Sequence, residues 1–418
     1  MEPERMETMV CIAGGGPAGM MLGLLLARAG VDVVVLEKHQ DFFRDFRGDT
    51  IHPSTVEILE QLGLLDRLKR IEHTSLPTLD AVIKGVRFTA VDFRSRRHRT
   101  QHLMFMPQWD LLALLAEAAS ELPNFRLLMD AEATTLLRYD THVRGVRARV
   151  AGRRTDVLAD LTIAADGRTS GLRRSAGLVA HAHGVPIDVL WFRVPRPSGE
   201  NPPDTIAYVT DTDVVITIPR TDYYQTALLI QKGAFDAVRE RGLDAFRRTV
   251  LAATPFLEPT IDAVSGWDDV KLLSVQVDRL PRWHRPGFLA IGDAAHAMSP
   301  AFGVGINYAV QDAVAAANLL VRPLLDHDLT EADLAAVQHR REAPVRQMQA
   351  IQLRLHAVVG KPGGGANLPS AGIVRTLAAP ASAVGRRAFG RLIGWGFRPE
   401  KPDEAMWPWG DTGAASLR

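Results

Sequence analysis

The 418-residue sequence predicts an α/β protein in which a parallel sheet with helices on its faces is joined to a second, antiparallel sheet. Near the N-terminus an apolar run, a glycine-rich turn, a helical stretch and a second apolar run follow one another, which is the order of a β-α-β unit. Residues 204–233 alternate polar and apolar side chains between Asp and Thr turns, a pattern typical of antiparallel strands. The length also exceeds the size to which one hydrophobic core usually grows, so we expect more than one domain.

The β-α-β unit begins with the apolar run MVCIA, followed by the turn GGGPAG at residues 14–19. The stretch MMLGLLLARAG continues as a helix that Gly30 stops, and a second strand, VDVVVLE, ends on Glu37. In a dinucleotide site Gly14 permits the tight turn, Gly16 lets a diphosphate approach the main chain, and Gly19 lets helix and strand pack closely.

The helix N-terminus in this unit offers free N–H groups to an anion, and Glu37 is placed to bind ribose hydroxyls. A carboxylate at this position favours NAD or the adenosine half of FAD over NADP. The motif therefore predicts a Rossmann-like dinucleotide site without choosing between NAD and FAD, and a plain glycine-rich turn is the alternative.

Two further motifs lie downstream. In residues 287–321 a buried strand, FLAI, exits at Gly292-Asp293, and Gly303-Val304-Gly305 leads into a second helix whose free N–H groups favour negative charge. In residues 160–177 an apolar strand ends at Asp166-Gly167, ahead of a short helix. One long cofactor held at both ends would use two such glycine-lined helix starts, whereas a simple NAD dehydrogenase needs one.

With these three motifs in order, the chain resembles the FAD-dependent aromatic hydroxylases. These are the single-component flavoprotein monooxygenases typified by para-hydroxybenzoate hydroxylase and the ubiquinone-biosynthesis hydroxylases, and the resemblance spans roughly residues 8–325. It implies a discontinuous Rossmann-like FAD-binding domain with a parallel sheet at 1–75, 100–178 and 280–330. An antiparallel-sheet substrate domain at 76–99 and 179–279 is interleaved with it, and a helical segment follows at 331–418.

The resemblance also implies where FAD binds. The diphosphate and adenosine side would take Gly14, Gly16, Pro17, Ala18, Gly19, Glu37, Lys38, Arg47 and Gln108. The ribityl and ring side would take Gly292, Asp293, Pro300, Gly303, Val304, Gly305, Ile306 and Asn307. The Asp-Gly motif would serve both FAD and the nicotinamide cosubstrate through Asp166, Gly167, Ser170 and Arg173.

The implied reaction is an NAD(P)H- and O2-dependent hydroxylation or epoxidation through a flavin C4a-hydroperoxide, on an apolar, aromatic or polyketide-like small molecule. The cofactor carries the difficult chemistry, so no protein nucleophile is required. His52 and Pro300 are the catalytic candidates: Pro300 corresponds to the family proline beside the flavin, and His52, His296 or Tyr223 could act on a phenolic proton. Trp191, Tyr223 and Phe302 are candidates to line the substrate pocket, and for all of these residues a packing role is the alternative.

Three other activities share such a site. A flavin-dependent halogenase needs a Trp-x-Trp-x-Ile-Pro stretch, and the WPW at residues 407–409 continues differently, at the wrong end of the chain. An FAD-dependent dehydrogenase or reductase without oxygen insertion remains open, as does a flavin-bound cyclase that catalyses no redox step. The choice between NADH and NADPH is also open.

Composition limits the partners. Lys and Arg number 49 and Asp and Glu number 48, so the net charge of +1 argues against nucleic acid as a partner. The single cysteine, Cys11, suits a reducing cytoplasm. We expect no stable membrane insertion, because the sequence has no long uninterrupted apolar segment. We expect no metal site, because the 13 histidines show no ligand spacing. The expected assembly is a monomer or homodimer.

Overall fold

The computed structural model describes residues 4–43, 50–94, 98–198, 206–359 and 383–403. The helices are α1 Pro17–Arg28, α2 Pro53–Gln61, α3 Leu65–Arg70, α4 Gln108–Ser120, α5 Gly171–Ser175, α6 Phe235–Glu240, α7 Leu243–Ala253, α8 Gly305–Leu325, α9 Glu331–Val359 and α10 Ala383–Trp395. The strands are β1 Glu4–Ala13, β2 Val33–Leu36, β3 Thr50–Ile51, β4 Thr74–Leu76, β5 Thr78–Ile83, β6 Val86–Asp92, β7 Leu103–Phe105, β8 Phe125–Leu128, β9 Ala131–Tyr139, β10 His142–Val150, β11 Arg153–Ala164, β12 His181–His183, β13 Ile187–Pro195, β14 Ala207–Val209, β15 Val214–Pro219, β16 Tyr223–Gln231, β17 Lys271–Leu273, β18 Val277–Arg279, β19 His284–Arg285 and β20 Phe288–Ala290.

The first layer is an eight-stranded sheet whose central strands β20, β11, β1, β2 and β8 run parallel. Residues Val10–Ala13 and Val33–Leu36 are fully buried, because helices cover the parallel part of the sheet. Helix α1 packs against α8 and α4. The antiparallel hairpin β9–β10 extends the sheet beyond β11, so the layer is mixed rather than purely parallel. The predicted α/β fold class is confirmed.

The second layer is a seven-stranded sheet in the order β17-β13-β16-β15-β14-β5-β6. One pair, β14 with β5, is parallel, contrary to the all-antiparallel expectation, because the two strands come from distant chain segments. Helices α6 and α7, which the strand pattern did not predict, supply a second core on one face of this sheet, where Phe246 meets Phe192 at 5.1 Å. The other face packs toward the parallel-sheet domain.

The C-terminal part packs back onto the first layer. Thr330 donates to the Asp333 carboxylate at the start of α9. We call residues 396–403, which follow α10, the C-terminal strap. Among the described helices one stretch, 301–325 including α8, is apolar and long enough to cross a membrane, but 83% of its apolar 18-residue window is buried inside the protein. This is the burial expected of a core helix.

Candidate functional site

The glycines of the first turn differ in what surrounds them. Gly14 has φ +110°, and a Cβ there would meet the Ala165 carbonyl oxygen at 2.3 Å. A Cβ on Gly19 would meet the Gly14 carbonyl oxygen at 2.0 Å. Gly16, at the N-terminus of α1, has an ordinary φ of −78°, and no atom beyond its neighbours lies within 4 Å of its Cβ position. Packing thus explains Gly14 and Gly19, while the space beside Gly16 is left open.

Glu37 lies directly after β2 and beside this turn. Its carboxylate accepts the N–H of Gly15 at 2.9 Å and the N–H of His39 at 3.0 Å. Two backbone donors therefore fix the carboxylate at the edge of the open space. Lys38, next to it, is exposed, and Gln108 is the first residue of α4. Arg47 lies outside the described residues.

The second glycine-rich loop leads into α8. Gly303 has φ +63°, and a Cβ there would meet the Thr50 side chain at 2.7 Å. Gly305, the first residue of α8, resembles Gly16, because it has no such neighbour within 4 Å. Val304 and Ile306, on either side, are buried. Asp293 faces Arg168 with 3.9 Å between a carboxylate oxygen and a guanidinium nitrogen.

The Asp-Gly motif is linked by hydrogen bonds to α5 and to the turn after Gly292. Ser170 caps α5 by accepting the N–H of Arg173. The Arg173 guanidinium is buried and donates to the carbonyls of Arg168 and Ala294, so it joins this motif to the turn after Gly292. Asp166 accepts the N–H of Leu172 with one carboxylate oxygen, and the other is buried without a hydrogen-bond partner in the described part of the chain. Ser170 and Arg173 thus hold the motif together inside the protein, and their contact with a cofactor stays a prediction.

His52 lies behind the loop that precedes α8. Its Nε2 is 3.1 Å from the Gly303 carbonyl oxygen, so this nitrogen donates, and the ring is fully buried. Burial lowers the pKa of His52 to about 4. In the same loop Pro300 precedes Phe302, whose φ is +68° and whose ring lies edge-on to Phe389 of α10 at 5.6 Å.

Asn307 lies in the first turn of α8 and is fixed by α2. Its Oδ1 accepts the hydroxyls of Ser54 at 2.6 Å and Thr55 at 3.0 Å. Its Nδ2 is buried without a hydrogen-bond partner among the described residues. The described residues thus leave one buried donor of the first turn of α8 unsatisfied.

The substrate-pocket candidates lie on the seven-stranded sheet. Trp191 of β13 packs against the core of the parallel-sheet domain, and its indole Nε1 is buried without an acceptor in the part of the chain that is described. Tyr223, at the start of β16, is half-buried beneath the guanidinium of Arg193, 5.2 Å from its ring centre. Phe302 also packs against the core of the parallel-sheet domain.

The sequence analysis missed the residues that support the α8 loop. Ser54 and Thr55 were not singled out, and neither was Asp312, a carboxylate inside the apolar helix sequence NYAVQDAVAAANLL. Asp312 is fully buried and accepts from His296, which is therefore held inside the protein. A charged residue amid apolar neighbours was the available signal, since such residues are buried only when paired.

Two comparisons identify the family. The profile described as "FAD binding domain" matches residues 7–350. The 6-methylpretetramide 4-monooxygenase of Streptomyces rimosus is 32% identical over 404 residues, covering 92% of this chain and 93% of that protein.

Two solved structures share the fold. PqsL of Pseudomonas aeruginosa, in complex with 2-aminobenzoylacetate, superposes with a TM-score of 0.74 at 23% identity, covering 86% of this chain and 98% of that one. The anhydrotetracycline hydroxylase OxyS of Streptomyces rimosus superposes with a TM-score of 0.73 at 21% identity, covering 93% and 76%. From the family profile and the close relative, the chain belongs to the FAD-dependent aromatic monooxygenases of the FAD binding domain family.

Proposed function

We propose that this FAD-dependent monooxygenase takes its electrons from NADH or NADPH and hydroxylates a fused-ring aromatic polyketide. The relative at 32% identity is named for a 4-monooxygenation of 6-methylpretetramide, and the match runs almost end to end in both proteins. Trp191 packs against the core of the parallel-sheet domain, and its buried indole N–H without an acceptor among the described residues is the observation in this chain that supports the substrate site.

FAD fits the residues at both glycine-lined helix starts. Gly16 and Gly305 have neither a left-handed φ nor a close neighbour to explain the missing side chain, and a ligand at the main chain explains both. Asp166 Oδ1 and Asn307 Nδ2 are a buried acceptor and a buried donor that the described chain leaves unpaired. Such atoms are costly unless a ligand or water satisfies them.

The first turn would hold the diphosphate at the N–H groups that begin α1, with Pro17, Ala18 and Gly19 keeping the helix close, and Glu37 would bind the adenosine ribose. Lys38 and Gln108 would lie along the same side, and Arg47, outside the described residues, stays a predicted cofactor contact. Asp293 would accept a ribityl hydroxyl, and Pro300 and residues 303–307 would line the ring. When bound, FAD supplies the electron transfer and the activation of O2.

The start of α8 would stabilise negative charge on the reduced ring. The helix N-terminus contributes about 0.3–2 kcal/mol toward an anion. Asn307, held by Ser54 and Thr55, adds a fixed donor on the same helix turn. Because these groups are held before the ligand arrives, they need no rearrangement during the reaction.

Trp191 would orient the substrate. An indole N–H that is buried without an acceptor costs free energy, and a carbonyl or phenolic oxygen of the substrate would satisfy it. Tyr223 and Phe302 would add aromatic surface. His52 would position Gly303 through the 3.1 Å contact instead of transferring a substrate proton, because its ring is fully buried and its pKa is about 4.

We also infer that the protein works in the cytoplasm as a monomer or homodimer. NAD(P)H is available there, and the single cysteine, Cys11, is buried as a free thiol in β1. A protein without disulfides suits that reducing compartment.

The experiment is turnover of 6-methylpretetramide by purified holoprotein under ¹⁸O2, with NADH and NADPH offered separately. Hydroxylated product carrying one ¹⁸O atom, with NAD(P)H consumption that rises with substrate, is expected. Unlabelled oxidised product would indicate a dehydrogenase, and rearranged product without NAD(P)H consumption would indicate a cyclase. A failure to hydroxylate any fused-ring polyketide, with single-ring phenols accepted instead, would overturn the substrate class.

A further inference from the structure

A buried carboxylate lies at the back of the proposed flavin site. Asp312, in the middle of α8, is fully buried and uses both oxygens. Its Oδ2 accepts the N–H of Gly292 at 3.0 Å and a hydrogen bond from Nε2 of His296 at 2.6 Å. Its Oδ1 accepts Nε of Arg341 at 3.0 Å. One side chain therefore connects the Gly292–Asp293 turn to α9.

Arg341 extends this connection to the C-terminal strap. Its Nη1 donates to the Arg398 carbonyl at 3.0 Å and to the Glu400 carboxylate at 3.4 Å. The side chains of Asp312, Arg341 and Glu400 are 0–2% exposed. The strap is anchored to α8 at a second point, where the Glu400 N–H donates to the side-chain oxygen of Gln311.

Stability alone does not explain why the charged side chains of Asp312, Arg341 and Glu400 are buried together. Burying charges costs several kcal/mol for each ion before pairing, and apolar residues of the same volume often give an equally stable protein. The pairing here keeps Asp312 ionised. Although burial alone would raise the pKa of Asp312, the charges and hydrogen bonds of His296 and Arg341 hold it below its usual range. An ionised Asp312 is a stronger acceptor for the Gly292 N–H than a neutral one.

We propose that Arg341 and Glu400 are positioning residues of the FAD site, which act through Asp312 on the Gly292–Asp293 turn. The C-terminal strap is then part of the flavin site, although it lies beyond the 7–350 range of the family profile. The inference goes beyond the proposed reaction, because it concerns how the turn is held and does not depend on the substrate.

The chain offers a matched control. Arg340 donates to both carboxylate oxygens of the same Glu400, at 2.8 and 2.9 Å. The donors to Asp312 in the described part of the chain are instead Arg341, Gly292 and His296. The Arg340 side chain is 38% exposed. Removing Arg340 therefore leaves Glu400 held by Arg341 and Gln311 and leaves Asp312 untouched, whereas removing Arg341 breaks the connection between Glu400 and Asp312.

The experiment compares R341Q and R340Q holoproteins with the unaltered protein by the Kd for FAD, the visible circular dichroism of bound flavin at saturating FAD, and the flavin midpoint potential. For R341Q we expect the Kd for FAD to rise about tenfold or more, because a charged hydrogen bond is lost. We also expect a changed flavin spectrum or midpoint potential. For R340Q we expect a Kd within about twofold of the unaltered protein and the same spectrum.

Equal effects of R341Q and R340Q, or a lower Tm of R341Q with an unchanged spectrum and potential, would overturn the proposal. Should R341Q fail to fold, R341K is decisive, because an ammonium group cannot serve Asp312 and Glu400 from a planar fork. R341K must then weaken FAD binding more than R340Q does, and a Kd like that of R340Q overturns the proposal. If the unaltered protein binds no FAD, the proposed cofactor site itself fails.

Discussion

Gly292 packs against Ala18 so closely that a Cβ added to Gly292 would lie 3.0 Å from the Cβ of Ala18. Ala18 is in the first turn of α1, and Gly292 begins the turn that leads toward α8. The two glycine-lined helix starts, far apart in the sequence, therefore share one wall. In the proposed FAD site, this contact would let a single elongated ligand span both.

Replacing Gly16 by valine is expected to abolish FAD binding and leave the fold intact. The φ of Gly16 suits any L residue, and no atom of the described chain lies near its Cβ position, so the side chain enters only the proposed diphosphate space. We expect a Kd for FAD raised at least about a hundredfold, equivalent to roughly 3 kcal/mol, and a Tm of the apoprotein within about 2 °C. Flavin absorbance after purification and apoprotein melting check both.

The matched control is Gly184→Val. Gly184 is exposed in the second domain and also has no neighbour within 4 Å of its Cβ position. It is expected to bind FAD like the unaltered protein. Gly16→Val protein that purifies with bound FAD would contradict the proposed placement of the diphosphate.

Replacing Gly14 by alanine is expected to damage the fold itself. The residue would have to adopt φ +110° with its Cβ 2.3 Å from the Ala165 carbonyl oxygen, so β1 and β11 would be pushed apart. We expect a loss of about 3 kcal/mol or more, seen as a lower Tm or insoluble protein.

Gly177→Ala separates the cost of a positive φ from the cost of the close contact with Ala165. Gly177 has φ +67° but no neighbour within 4 Å of its Cβ position, so its substitution carries only the backbone cost, about 1 kcal/mol. Equal losses at Gly14 and Gly177 would mean that the contact with Ala165 relaxes freely.

Local sequence patterns predicted the elements around the site well. The strand before Gly14, the helix ended near Gly30 and the start of α8 at Gly305 follow from apolar runs and glycines next to each other in the chain. The supports of the site did not follow from such patterns. Arg341 and Asp312 meet only because α9 packs on α8, and a pairing between distant residues leaves no periodic signal in one sequence.

The interleaved sheet shows the same limit. Alternation predicted strands within 204–233, but it could not predict that β14 would pair in parallel with β5. The strand pattern did not predict helices α6 and α7. An apolar sheet face has to be buried against another layer, and these two helices bury the far face of this sheet.

Trp191→Phe is expected to impair substrate binding without affecting FAD. Phenylalanine keeps most of the aromatic surface but removes the N–H, so a substrate oxygen loses its donor. We expect KM to rise about fivefold to tenfold, because one neutral hydrogen bond of about 1–1.5 kcal/mol is lost. The Kd for FAD should stay unchanged.

Trp267→Phe is the control, because it makes the same change on the other face of the sheet. There the ring centres of Trp267 and Phe246 are 5.6 Å apart. Its KM is expected to equal that of the unaltered protein. A KM unaffected by Trp191→Phe would remove Trp191 from the substrate site.

His52 makes the fold sensitive to acid. Burial lowers its pKa in the folded protein to about 4, whereas an unfolded chain gives about 6.5. The unfolded state therefore binds the proton first as pH falls, so the free energy of unfolding decreases between about pH 6.5 and about pH 4, by about 3 kcal/mol in total. Above pH 6.5 this contribution is fully present. His356, whose pKa burial also lowers to about 4, adds to the same window.

His52→Gln should therefore be less acid-sensitive than the unaltered protein, and the H52Q/H356Q double variant less so again, since each substitution removes one proton acceptor of the unfolded state. The measurement is the slope of Tm against pH from 4.5 to 7.5 for each protein. His339→Gln, at an exposed position on α9, serves as the control. A double variant whose slope equals that of the control would show that both rings already carry their proton in the folded protein, which the burial of His52 against Gly303 argues against.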